Sequence, residues 1–240
     1  LFCLLPRFAY PIAIYKNRDL GVQQQWLREG FSQMFGLPED RFIVAPPQRE
    51  TLPPQAPEEG SARRPFTFLY AATADVHKNF ELLCEAAQRL EGKVGKDAFR
   101  VILTIDGSEN KYASWLRKTW GHVSSLDFSG FMTKERLQAT YASTDCLVFP
   151  SRIETWGLPI SEFLPYDRPM LLSDLPFAHE TAAGAREVGF FDSTSADSLA
   201  QAMERVLSGD HKGLAPVHPR PLQQPKASSW VELFELLLSE

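Results

Sequence analysis

Glu154 and Glu162 enclose seven residues, Thr155-Trp-Gly-Leu-Pro-Ile-Ser161, and this segment gathers groups that could do chemistry. The apolar run Cys146-Leu-Val-Phe149 reads as a strand entering it, and a helix opens near Leu158 with Pro159 in its first turn. The first amides of a helix lack intrahelical partners, so those near Gly157 and Leu158 would face a ligand and favour an anion, usually phosphate. Glu162 lies about one turn into that helix, where a carboxylate can accept both hydrogens of a ribose diol. Glu154 precedes the helix and would reach a different part of the same ligand. Taken as two glutamates alone, the plainer reading is a solvated loop residue and a charge near a helix N-terminus. Lys78, in Ala74-Asp-Val-His-Lys-Asn79, sits at another helix start, where a cation is disfavoured unless an anion compensates it. His77 beside it could add a donor.

These groups need a scaffold, and the sequence reads as one from Phe66 onward. Apolar strand-like runs occur at 66–71, 100–105, 126–129, 146–149, 170–173 and 188–191. Helical spacing fills the intervals at 79–90, 111–120, 133–142, 158–164 and 177–183, and Thr194-Ser-Ala-Asp197 fits a capped start for a last helix that stops at Gly209. The strands are short and wholly apolar rather than alternating, which suits a sheet covered on both faces. The expected fold is therefore α/β, a Rossmann-like doubly wound parallel sheet. In such sheets ligands bind beyond the carboxyl ends of the strands, here the loops after Ala71, Ile105, Ser129, Phe149 and Ser173.

The flanks are different. Residues 22–35 carry helical spacing ended by Gly36, and Phe42-Ile-Val-Ala45 reads as a strand. The stretch from Pro46 to Pro65 is rich in Pro, Glu and Arg and reads as a linker. A second Pro-rich stretch leads from Gly213 into a terminal amphipathic helix whose apolar face is Trp230, Leu233, Phe234, Leu237 and Leu238. That face reads as one that docks on protein.

Apolar content of 44% and charged content of 23% fit a soluble globular protein, and a net charge of -5 with scattered basic residues gives no footprint for nucleic acid. Cys3, Cys84 and Cys146 match neither a disulfide framework nor a zinc site, so buried reduced thiols and a cytoplasmic location are expected. The five histidines show no ligand spacing, and there is neither an Asp-any-Asp pair nor a serine in a nucleophile elbow. The first fifteen residues, LFCLLPRFAYPIAIY, are apolar but broken by Pro6, Arg7 and Pro11. They read as a surface packed on further protein, with a peripheral contact at the inner membrane face as the alternative. No Met and basic region opens the chain, which suggests that it is part of a longer protein.

The stretch from Phe66 to about Gly209 resembles the C-terminal domain of retaining glycosyltransferases with the GT-B fold, the group 1 or family 4 type. Their signature is two glutamates with seven residues between them around a Gly-Phe-Gly-Leu-Pro-like core, matched by Glu154, Thr155-Trp-Gly-Leu-Pro159 and Glu162. The segments Phe128–Leu137, Tyr141–Ser151 and Arg168–Ser173 resemble the family's approach to that motif and its next strand. The resemblance implies that Glu154 contacts donor-sugar hydroxyls and Glu162 the ribose. It also implies that the backbone of Thr155, Trp156, Gly157 and Leu158 holds diphosphate and sugar, and that Lys78 pairs with the diphosphate. Gly107, Gly130, Phe131 and Met132 fall where the family holds the nucleobase. Where a Gly-Arg pair is usual the chain has Ala72-Thr73, which puts Thr73 among the donor contacts. Asp145 reads as structural.

The activity implied by the resemblance is that of a retaining, metal-independent transferase acting by front-face displacement. Lys78 and Glu154 form its catalytic pair, and the leaving diphosphate helps to deprotonate the acceptor. The nucleotide-diphosphate sugar is a co-substrate rather than a cofactor, the acceptor is a glycan or a lipid-linked glycan, and bacterial surface polysaccharide synthesis is the commonest setting. The implied organisation is a C-terminal remnant of the acceptor-side domain over 1–45 and a linker over 46–65. A donor-binding domain covers 66–212, and the Pro-rich segment with a terminal crossover helix covers 213–240. The rival from another class is a non-catalytic nucleotide-sugar-binding or assembly subunit. An epimerase acting on nucleotide sugars would share the pocket but not the glutamate spacing.

Overall fold

The computed structural model describes residues 14–48 and 64–239. The apolar start of the chain through residue 13, with Cys3, and residues 49–63 of the expected linker lie outside them. The chain divides into two compact units, Leu1–Thr51 with Arg220–Glu240, and Leu52–Pro219.

In the first unit, β1 (Leu20–Val22) pairs in parallel with β2 (Phe42–Val44), and α1 (Gln25–Phe35) connects them. The expected helix from residue 22 is therefore shorter. Val22 pairs with Val44, and this long-range ladder overrides the local helical spacing. Gly36 ends α1 in the left-handed conformation, φ 62°, with its amide on the Ser32 carbonyl. Val22, Leu27, Phe42 and Val44 form the core, with Trp26, Phe31 and Leu222 packed against it. The C-terminal segment is tied to the same unit by Arg28, which donates to the carbonyls of Gln223 at 3.1 Å and Gln224 at 2.7 Å. The last helix, α8 (Trp230–Leu238), is capped by Ser229. Among the described residues Trp230, Val231, Phe234, Leu237 and Leu238 of this helix are exposed.

The second unit is a six-stranded sheet with every pairing parallel. Its strands are β3 (Phe66–Tyr70), β4 (Phe99–Leu103), β5 (Leu126–Phe128), β6 (Cys146–Phe149), β7 (Met170–Ser173) and β8 (Val188–Phe191), ordered β5-β4-β3-β6-β7-β8. Central positions such as Phe68, Leu69, Leu147, Val148 and Leu172 are fully buried, as a sheet covered on both faces requires. The connecting helices are α2 (Phe80–Val94), α3 (Lys111–Trp120), α4 (Lys134–Ser143), α5 (Leu158–Phe163), α6 (Pro176–Thr181) and α7 (Ala196–Leu207). Of these, α2 packs on α7 and α3.

Local chemistry fixes the helix starts. Asn110 accepts from the Ala113 amide at 2.9 Å, Thr133 from Arg136 at 3.3 Å and Ser195 from Ser198 at 3.2 Å. The cap of α7 is thus Ser195, one residue beyond the expected Thr194. The thiols of Cys84 and Cys146 are free and buried, and burial pushes both above their ordinary range.

Candidate functional site

In order of appearance the strands of this sheet run third, second, first, fourth, fifth, sixth. The order reverses between β3 and β6, and at such a switch point the flanking crossovers leave on opposite faces, so a crevice opens beyond the carboxyl ends. The chain leaves β3 toward Lys78 and leaves β6 toward Glu154, so the topology alone brings these residues to the same crevice. They meet there: Lys78 Nζ donates to Glu154 Oε1 at 2.6 Å, and the two side chains are only 16% and 12% exposed.

Buried polar contacts hold the two loops in register. The Tyr70 hydroxyl, at the end of β3, donates to the Lys78 carbonyl at 2.7 Å and lies 3.0 Å from Ser151 Oγ. A phenol has a single proton, and the carbonyl can only accept, so Ser151 is the donor in the second contact. Burial, partly offset by the Ser151 hydrogen bond, pushes the Tyr70 pKa well above its usual value. The Arg152 amide donates to the His77 carbonyl at 2.9 Å, a main-chain bridge between the same loops.

Asn79 is the third tie. It is fully buried, adopts φ 59° directly before α2, and its Nδ2 donates to the carbonyls of Pro150 at 3.0 Å and Ser193 at 2.9 Å. Asparagine tolerates this left-handed geometry better than most residues. Around the β3 exit, Thr104 Oγ1 accepts from the Ala72 amide at 2.9 Å, and Asn110 donates to the Ala74 carbonyl at 2.6 Å.

Beyond Glu154, Gly157 adopts φ 90° before α5. That helix has six residues, so its dipole is small and local amides matter more. Pro159 has no N–H, and the Ile160 amide is taken by the Gly157 carbonyl at 3.0 Å. The amides left to face an anion are those of Gly157 and Leu158. Trp156 turns its side chain inward, with Nε1 on Ser161 Oγ at 3.2 Å, and its carbonyl accepts from Thr181 Oγ1. Only its backbone can serve a ligand, while Thr155 and Leu158 are exposed.

Glu162 is exposed, and its Oε2 accepts from the buried Tyr141 hydroxyl at 3.0 Å, which fixes one carboxylate oxygen and leaves the other outward. Burial first, then the charge of Glu162, pushes the Tyr141 pKa well above its ordinary value, so it remains a donor.

The other sequence-predicted residues occupy the carboxyl ends of β3, β4 and β5. Thr73 is exposed and donates its hydroxyl to Asp75 at 2.7 Å. Gly107 adopts φ 102°, and a Cβ there would lie 2.8 Å from that of Arg117, so only glycine fits. Its amide, however, is held by Glu109 Oε2 at 3.0 Å, and the Asp106 amide by Oε1 at 2.8 Å. Gly130 adopts φ 74° against the Asp106 side chain. Phe131 is 83% exposed, whereas Met132 is buried.

Asp145 lies at the opposite end of the sheet. It receives both guanidinium arms of Arg64, at 2.6 and 2.7 Å, and the Thr67 amide at 2.8 Å, a structural role. Among the described residues no group of three or more His, Cys, Asp or Glu could hold a metal ion. Likewise, no helix among them is long and apolar enough to cross a membrane.

Sequence reasoning did not single out Tyr70, Ser151 or Tyr141. The first reads as one aromatic of a strand and the last as one aromatic of a helix, and their hydroxyl partners are remote in sequence.

A parallel sheet of this order has the Rossmann-like topology of a GT-B-type domain. The chain belongs to the family described as glycosyl transferases group 1, whose model matches residues 53–215. No curated protein matches it by sequence. Among solved structures it is similar to a glycosyltransferase from Rickettsia africae, with TM-score 0.67 and 15% identity over 80% of this chain and 54% of that one. Anabaena Alr3699/HepE in complex with UDP and glucose gives TM-score 0.66 and 14% identity over 82% and 55%. The pneumococcal O-GlcNAc transferase GtfA in complex with UDP and GlcNAc gives 0.65 and 14% over 86% and 42%. The chain therefore spans about half the length of the structures it matches, and at this identity the likeness is one of fold.

Proposed function

We propose that the chain binds the nucleotide-diphosphate sugar of a retaining glycosyltransferase that works without a metal ion. The observation that carries this reading is the Lys78–Glu154 pair at the switch point, with Glu162 held by Tyr141 about one turn into α5. Lys78 supplies the positive charge that the diphosphate needs, and the Gly157 and Leu158 amides add donors beside it. Glu162 accepts from the ribose hydroxyls, and Glu154 from hydroxyls of the donor sugar. Gly130, Phe131 and Met132 border the base. Phe131 is the exposed aromatic on which a base could stack, and Gly107, whose amide is occupied, contributes shape rather than a donor.

The chemistry is stabilisation of charge on the leaving diphosphate by Lys78 and by backbone amides fixed beforehand. The acceptor, a glycan or lipid-linked glycan, is handled by the complete protein, and the two-glutamate spacing is what supports a family 4 assignment. Calorimetric titration with UDP-, GDP- and ADP-glucose tests the reading. One of the three is expected to bind in the micromolar to millimolar range, and Lys78→Ala to abolish that binding. If none binds, the reading fails.

A further inference from the structure

The ammonium that would hold the diphosphate is already engaged. Lys78 and Glu154 are 2.6 Å apart, and neither side chain is well hydrated. A lysine ammonium is a compact point charge, and a carboxylate and a diphosphate compete for it directly. Building on the donor-binding reading, we propose that Glu154 is an internal competitor of the diphosphate at Lys78. Its transfer to sugar hydroxyls then makes the site prefer a nucleotide-diphosphate sugar over the nucleoside diphosphate left after transfer.

The physical basis is what happens to Glu154 once it is displaced. A partly buried carboxylate that loses its cation is left poorly solvated and unpaired, which is costly. Pyrophosphate and nucleoside diphosphates carry nothing to repair that loss. A donor sugar carries hydroxyls whose protons can be donated to the carboxylate in place of the lysine's. The sugar-bearing ligand thus recovers what the bare diphosphate forfeits. When the sugar leaves, Glu154 returns to Lys78 and favours release of the product. Glu154 in this role is a specificity determinant, distinct from a residue that only adds contacts to the donor.

Inorganic pyrophosphate is the direct probe, because it has neither base nor sugar. Calorimetry at fixed ionic strength would compare the wild-type chain with Glu154→Gln, Glu154→Ala and Lys78→Ala. Both Glu154 variants are expected to bind pyrophosphate on the order of tenfold more tightly than wild type, the scale of freeing a mostly buried ion-pair partner. The affinity ratio between UDP-, GDP- or ADP-glucose, whichever binds, and its nucleoside diphosphate is expected to fall by a similar factor. Equal or weaker pyrophosphate binding in both Glu154 variants overturns the inference while Lys78→Ala still abolishes binding. So does undetectable pyrophosphate binding in wild type and both variants. If Lys78→Ala changes neither pyrophosphate nor nucleotide binding, the donor-binding reading itself fails and the inference falls with it.

Discussion

Replacing Tyr70 by Phe removes one oxygen atom from beneath the proposed diphosphate site and leaves the ring in place against Phe80, 4.6 Å between centroids, and Phe149, 5.5 Å. Two hydrogen bonds vanish, the 2.7 Å bond to the Lys78 carbonyl and the 3.0 Å bond from Ser151. Ser151 is fully buried, so water does not readily replace its lost acceptor. At roughly 1 kcal/mol per bond, and more where a buried group is left unpaired, the expected cost is about 2 kcal/mol. For a unit of this size that corresponds to a melting temperature about 4 to 8 °C lower. Urea unfolding is the assay, with the midpoint lowered and the slope unchanged. The Lys78 backbone is freed at the same time, so pyrophosphate affinity is expected to fall several-fold while the variant is still folded. Ser151→Ala in the Tyr70→Phe background should cost much less than in wild type, because the two share one network. A Tyr70→Phe variant with the wild-type midpoint and wild-type pyrophosphate affinity would refute the claim that this hydroxyl joins the two loops.

Glu162→Ala is expected to weaken binding of UDP, GDP or ADP, whichever the chain takes, while leaving inorganic pyrophosphate unchanged. Tyr141→Phe should show the same pattern at about tenfold, the worth of one hydrogen bond to a charged group at its lower end. Equal losses for nucleotide and pyrophosphate would remove the ribose assignment. Gly157→Ala places a Cβ 3.2 Å from Ile160 Cδ1 on a residue with φ 90°. Strain of this kind costs about 1 to 3 kcal/mol, so the urea midpoint should drop, and an unchanged midpoint would show that the turn relaxes.

The first unit shows where local pattern misleads. Residues 22–35 carry helical spacing, yet Val22 belongs to a strand because its partner Val44 lies beyond the helix. The apolar face of α8 is plain in the sequence, but periodicity says which side of a helix is apolar and not what covers it.

In the second unit the sequence by itself determined the alternation of strands and helices, the glycines at forced turns and the parallel sheet, with Lys78 and Glu154 marked as candidates by the family resemblance. Those features are local. Apolar runs, caps and left-handed positions depend on neighbours within a few residues, so they can be read one segment at a time. The tertiary structure decided the strand order, and with it the switch point that carries Lys78 and Glu154 into one crevice. It also decided that they would pair at 2.6 Å, that Glu109 would occupy the Gly107 amide, and that Tyr70, Ser151, Asn79 and Tyr141 would hold the site. Each of the pairings across the site, Lys78–Glu154, Tyr70–Ser151 and Asn79–Pro150, joins groups more than seventy residues apart in the chain. A hydrogen bond or ion pair acts over about 3 Å of space whatever the separation along the chain, so these contacts exist only once the sheet has brought their loops together.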